Sequence, residues 1–435
     1  MPFQRLSELV ERFRDLGVTR ILCKRLSEND NSKQQIYLGG SLEALQLLPY
    51  RNVRGEPGTK RVTFKADLSF DWIDSSGHVA KAPSAKLILY PKYPEVRLSG
   101  FLHGCSIAPS KHLQPLPREK RTGDGPDGRV LFLAVTNSDS ILAYLALRGE
   151  AVAREIEELH LAGQLPEAGI FLDVPVMRDR RQALLAKLQE IHSSGWHSSR
   201  RLNSSRVAIP YAAQNGGGYT LEALFGIIPN GISAPDYLGW ELKAYTSGRV
   251  TLMTPEPDAG YYGEKGVAAF VRKYGHQTGD DTLYFTGLHR ANTRCDASGH
   301  TLQIRGYDAH KQKIVEVNGG IELVDSKGDL SAAWSFARLI DHWGRKHAAA
   351  AYVKYEKRKN SAPPDYRYLS PVLLGEGTDF LKYLSAMVSG NVVYDPGSKI
   401  SNASTKPRSK ARSQFRIRVA DLNLLYHRLD SVAIV

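Results

Sequence analysis

Cysteine is scarce in this chain: three in 435 residues, Cys23, Cys105 and Cys295, far apart and with no Cys-x-x-Cys partner. That excludes a disulfide framework and a cysteine zinc site, and it fits a reducing cytoplasm. No stretch approaches the ~20 apolar residues of a membrane helix, so no membrane partner is expected. The N-terminus, Met1 to Arg5, leads into an amphipathic helix rather than an apolar signal core. Internal repeats and long low-complexity tracts are missing as well. The run Gly216-Gly217-Gly218 is followed by no Lys-Ser or Lys-Thr, which excludes a nucleotide-binding loop. No Gly-x-Ser-x-Gly nucleophile elbow is present. Acid is short relative to base: 45 Asp and Glu against 58 Lys and Arg, a formal net charge of +13. That balance favours a polyanionic partner, nucleic acid first. Hydrophobic content of 42% with 24% charge describes a globular protein, and the length predicts two or three domains.

What is present centres on Glu241-Leu242-Lys243. In a strand, side chains alternate, so Glu241 and Lys243 share one face while Trp240 and Leu242 point into a core. Asp236 stands just upstream, after Pro235, where the chain turns into the strand. Two carboxylates and one ammonium would then converge. Two hard oxygen ligands suit Mg²⁺, and a lysine beside them can position or deprotonate a water, as metal-assisted hydrolysis of a phosphodiester requires. Taken alone, Glu-x-Lys is usually a solvated pair on a surface strand. The segment before it adds weight. Three glycines permit a sharp turn or a close approach, Thr220 reads as a helix N-cap, and Leu221, Leu224 and Phe225 form a helical apolar stripe. Glu222 falls among them and would be a misfit unless it faces a polar site.

The run from Gly216 to Tyr245 resembles the MvaI/BcnI restriction endonucleases, PD-(D/E)xK enzymes related to the mismatch-repair nicking enzyme MutH. The family pattern of a helix Glu, then Pro-Asp, then Glu-x-Lys corresponds to Glu222, Asp236, Glu241 and Lys243. The stretch Gly195–Leu202 resembles the family's opening, and Asn391–Gly397 and Phe415–Arg418 its closing portion. The resemblance implies an α/β nuclease core with a central mixed sheet flanked by helices. It implies a Mg²⁺-dependent type II restriction enzyme acting on double-stranded DNA and leaving 5′-phosphates. Asp236, Glu241 and the Leu242 carbonyl would hold the metal, Lys243 would activate water, and Glu222 would complete a second metal position or hold a water. A monomeric, cytoplasmic enzyme is expected.

The N-terminal half reads as strands at 20–24, 35–38, 62–71, 85–90 and 130–136, a small β-barrel or sandwich. The polar loop Lys24–Leu38 resembles the opening of an EcoRII-type B3-like effector domain, a pseudobarrel gripping DNA with two arms. Asn29, Asn31, Lys33 and Gln34 would belong to the first arm, and Lys92 and Arg97, within 90–97, to the second. Helices are expected at 138–147, 150–161, 181–193 and 330–346, and strands at 250–253, 282–288, 301–307 and 348–355. The stretch 396–420 contains no Asp or Glu and reads as a flexible basic arm offering Lys399, Arg412, Arg416 and Arg418 to phosphates. His276, His289, His342, His347 and His427 read as structural or surface residues. The expected division is a β-rich DNA-recognition domain over 1–160, a helical linker over 161–200 and a nuclease over 201–435. The N-terminal domain would bind a second DNA site or read a modified base. A MutH-like nickase and a non-catalytic DNA-binding regulator are the remaining alternatives.

Overall fold

The computed structural model describes all residues except 1–2, 29, 31–33, 57–61, 115–116, 121–122, 124, 177–179, 230–234, 247, 280, 359–361 and 435. The chain divides into two compact units, Met1–Arg180 and Arg181–Val435. Among the described residues no helix is long and apolar enough to cross a membrane.

The first unit is mainly β. One sheet has seven strands, in the order Glu167–Ala168, Phe171–Val174, Val18–Ser27, Pro126–Thr136, Ile141–Ala146, Phe70–Ile73 and Val79–Lys81. The other has five: Gln35–Gly39, Glu95–Ser99, Lys86–Tyr90, Thr63–Asp67 and Arg51–Glu56. Neither closes on itself among the described residues. Helix Leu6–Asp15 buries Leu6, Leu9, Val10 and Phe13 in a core shared with Ile21, Phe132, Val152 and Ile156. The helix expected at 138–147 is instead the strand Ile141–Ala146, buried at all six positions. An all-apolar run in the middle of a sheet has no period by which to tell it from a buried helix. The span 62–71 is likewise two strands rather than one.

The second unit is α/β. Its central strand, Ala349–Arg358, pairs in parallel with Glu241–Tyr245 and antiparallel with Val372–Glu376 and Asp365–Tyr368. Arg428–Val432 and Trp196–Ser198 extend this mixed sheet. Helices Arg180–Ser193 and Gly216–Leu224 supply Leu184, Leu188, Ile191 and Leu221 to a core with Trp240, Leu242, Ala351, Val353, Tyr366 and Tyr368. The span 161–200, expected to be a helical linker, contains strands of the first unit and the first core helix of the second. The expected helix at 330–346 is strand Leu330–Ser335 followed by helix Phe336–Lys346, which Ser335 caps by accepting the Arg338 amide. The 396–420 stretch is not a free arm. It forms strands Gly397–Ser401, Arg408–Lys410 and Phe415–Arg418, each paired within a sheet.

Candidate active site

The glycine run begins the helix Gly216–Leu224 itself, so Thr220 is an interior residue and not the N-cap; Asn215 stands at that position. The reason is steric. A Cβ on Gly217 would lie 2.5–2.8 Å from the Tyr355 ring, and one on Gly216 would lie 2.6 Å from the Tyr366 hydroxyl. Tyr368 Oη also donates to the Gly217 carbonyl at 2.7 Å. Buried Thr220 accepts the Arg200 N–H at 3.1 Å and donates to the Arg200 carbonyl at 3.3 Å. The helix carrying Glu222 is thereby seated tightly on the sheet and on its neighbouring strand.

Strand Glu241–Tyr245 starts where Asp236 pins it: Asp236 Oδ2 accepts the Leu242 N–H at 2.8 Å. As period two requires, Leu242 faces the core while Lys243 Nζ donates to Glu241 Oε1 at 2.5 Å. The Glu241 side chain is 2% exposed and that of Lys243 19%. Burial pulls the lysine pKa down. The carboxylate of Glu241, by charge and hydrogen bond, and then those of Asp236 and Glu222 outweigh it, so the net shift is upward. All four residues marked in the sequence are therefore gathered within one electrostatic neighbourhood. Among the described residues no set of three or more His, Cys, Asp or Glu lies close enough to hold a metal unaided. The donors at hand are the carboxylates of Asp236 and Glu241 and the main-chain carbonyl of Leu242, the hard oxygens that Mg²⁺ takes.

The sequence model of the MvaI/BcnI restriction endonuclease family matches residues 185–426, more than half of the chain. The chain belongs to the MvaI/BcnI restriction endonuclease family. It is therefore a type II restriction-like DNA nuclease. Two solved structures are similar to it. One is restriction endonuclease MvaI with its cognate DNA substrate, at 19% identity and a TM-score of 0.46. The other is MvaI without DNA, at 16% identity and a TM-score of 0.33. In both cases the likeness covers 60% of this chain and 100% of the other. A search of curated proteins finds no match.

The residues expected to touch DNA are spread over both units of this MvaI/BcnI-family chain. Asn29, Asn31 and Lys33 lie outside the described residues. Gln34 is exposed, with φ of 56°. Lys92 is exposed on the turn between two strands, 5.9 Å over the Tyr93 ring. Arg97 pairs with Glu95 at 3.1 Å and lies 5.7 Å over Tyr90. Lys399 lies 5.4 Å over Tyr284. Arg412 is exposed, its amide donating to Ser398 Oγ at 3.1 Å. Arg416 and Arg418 share a strand face, opposite buried Phe415 and Ile417, but each already has a carboxylate: Asp395 and Asp421, both at 2.6 Å.

Sequence reasoning missed two features around the site. Tyr352, opposite Lys243 in the parallel register, meets the Tyr426 hydroxyl at 2.7 Å. Both rings are buried, and both feel the charge of Glu241. The two tyrosines are far apart in the chain, and only the sheet brings them together. The second feature is the hairpin Arg200–Pro210, whose signal was legible as a stretch without acid. The expected structural reading suits His289 and His347, which are fully buried and bonded to main-chain carbonyls.

Proposed function

We propose that this chain is a Mg²⁺-dependent restriction endonuclease that hydrolyses DNA phosphodiesters at Glu222, Asp236, Glu241 and Lys243. The observation that carries this reading is the geometry at the start of strand Glu241–Tyr245, where Asp236 accepts the Leu242 amide at 2.8 Å and Lys243 donates to Glu241 at 2.5 Å, with the charge of Glu222 also reaching the lysine. Asp236, Glu241 and the Leu242 carbonyl would hold the metal, which when bound would supply Lewis-acid stabilisation of charge on the phosphate. Lys243 remains an ammonium at neutral pH; it orients the attacking water by hydrogen bonding and offsets negative charge at phosphorus. Glu222 accepts a hydrogen bond from that water and keeps its lone pair aimed in line. Asp236 has a second task, since its bond to the Leu242 amide holds Glu241 and Lys243 in register. In-line attack forms a bond from the water oxygen to phosphorus and breaks the P–O3′ bond; the attacking water gives up a proton to solvent and the departing O3′ takes one from solvent, which leaves a 5′-phosphate and a 3′-hydroxyl.

The protein acts as a monomer in this reading, and the first unit is a DNA-binding module with Gln34, Lys92 and Arg97 on its contact surface. Lys399, Arg412, Arg416 and Arg418 neutralise phosphates along the second unit. End-group analysis of a digested plasmid tests the chemistry. The account expects cutting with Mg²⁺, none in chelator, and ends that accept label from a kinase only after phosphatase treatment. Cutting in chelator, or 3′-phosphate ends, would overturn it.

A further inference from the structure

Between Glu190 and Glu222 the chain contains no acidic residue, yet it places Arg200, Arg201 and Arg206 on one hairpin. Its strands, Arg200–Leu202 and Ala208–Pro210, pair Arg201 with Ile209. The turn is internally braced, because Asn203 Oδ1 accepts the amides of Ser205 and Val207 at 3.0 and 2.9 Å. The base is tied to the active-site helix through the two Thr220–Arg200 bonds. The Tyr211 amide also donates to the Ser199 carbonyl at 3.0 Å.

On this support the Arg201 guanidinium lies 5.4 Å over the Tyr211 ring. Tyr211 meets Tyr219 edge-on at 5.0 Å, and its hydroxyl donates to Asn215 at 2.9 Å. Tyr219 lies three residues before Glu222 and within reach of both its charge and that of Arg201. Arg201 is exposed, and among the described residues no carboxylate forms an ion pair with it. A guanidinium held over a ring has lost part of its rotamer freedom in advance, and on an exposed residue its N–H edge remains available to a ligand. That edge matches the oxygens of a phosphodiester.

We propose that Arg201, carried on the Tyr211–Tyr219 platform, is a DNA-phosphate contact that seats the backbone beside Glu222; this rests on the nuclease reading above. A phosphate contact carries no sequence information, so its loss weakens binding to every duplex alike. The test is binding of a short duplex in Ca²⁺, without cleavage, over salt from ~50 to ~200 mM. Arg201→Ala is expected to weaken binding about tenfold and to flatten the log–log salt slope by about 0.9. Arg201→Gln, which keeps a polar N–H group on a shorter stem but removes the charge, should do the same. Tyr211→Ala should weaken binding while leaving the slope alone, because the charge remains. Lys187→Ala, which removes a surface lysine paired with Glu190 at 2.8 Å, should change neither. A wild-type slope in both Arg201 variants, or an equal flattening by Lys187→Ala, would overturn the proposal. Failure of the wild-type protein to cut with Mg²⁺ would instead overturn the nuclease reading and leave these slopes readable.

Discussion

In the proposed reading Asp236 has two jobs for one carboxylate, and they separate on mutation. Asp236→Asn keeps an oxygen for the Leu242 amide but loses the charge. We expect a cleavage loss of about 10³-fold or more with a melting temperature close to wild type. Asp236→Ala should lose both, which paired activity and thermal-melt measurements would show. A second residue-scale prediction concerns His289, fully buried against Tyr394. Burial lowers its pKa from 6.5 to about 4. Above pH 6.5 neither folded nor unfolded protein holds the proton. As pH falls from 6.5 to about 4 the unfolded chain takes it up first, so stability drops by about 3 kcal/mol. Urea unfolding should show that extra loss in wild type and not in His289→Gln; equal losses would contradict the assignment. At this scale the proposed site could be picked out of the sequence because Glu222, Asp236, Glu241 and Lys243 lie in one short stretch with a recognisable spacing. Tyr352 and Tyr426 were not, because only strand pairing brings them near Glu241.

At the scale of elements, the three glycines are the informative case. In the sequence alone they signify freedom to turn, whereas the fold uses two of them as empty space beneath Tyr355 and Tyr366. Gly217→Ala should destabilise the second unit by about 1–3 kcal/mol, and Gly218→Ala, where a Cβ meets nothing within 4 Å, by much less. Chemical denaturation of the two variants checks the contrast, and equal effects would contradict it. A strand with alternating burial, such as Thr63–Asp67, was readable. Ile141–Ala146 was not, since burial on both faces erases alternation. The 396–420 stretch failed for a different reason: its charge pattern says nothing about the strands with which it pairs, and two of its arginines, Arg416 and Arg418, find Asp395 and Asp421 just beyond its ends.

For the whole molecule, each unit has its own hydrophobic core, and the family match lies wholly within Arg181–Val435. A fragment of residues 181–435 should therefore fold and cut DNA with Mg²⁺, with a shallower salt dependence of binding than the full chain if the first unit also contacts phosphates. An inactive but folded fragment would assign the first unit a part in catalysis. The two-part organisation was readable in the sequence, and the division after Arg180 falls within the 161–200 span expected to separate the parts; the role of that span was not readable, because the helix at 180–193 has the same apolar spacing whether it links units or builds a core. The most direct measurement of the central claim uses the full chain: single-turnover cleavage of supercoiled plasmid with saturating Mg²⁺ by wild type and Lys243→Met, alongside DNA binding in Ca²⁺. The account predicts at least about a 10³-fold loss of rate with binding affinity essentially retained. Cleavage by Lys243→Met at the wild-type rate would contradict it.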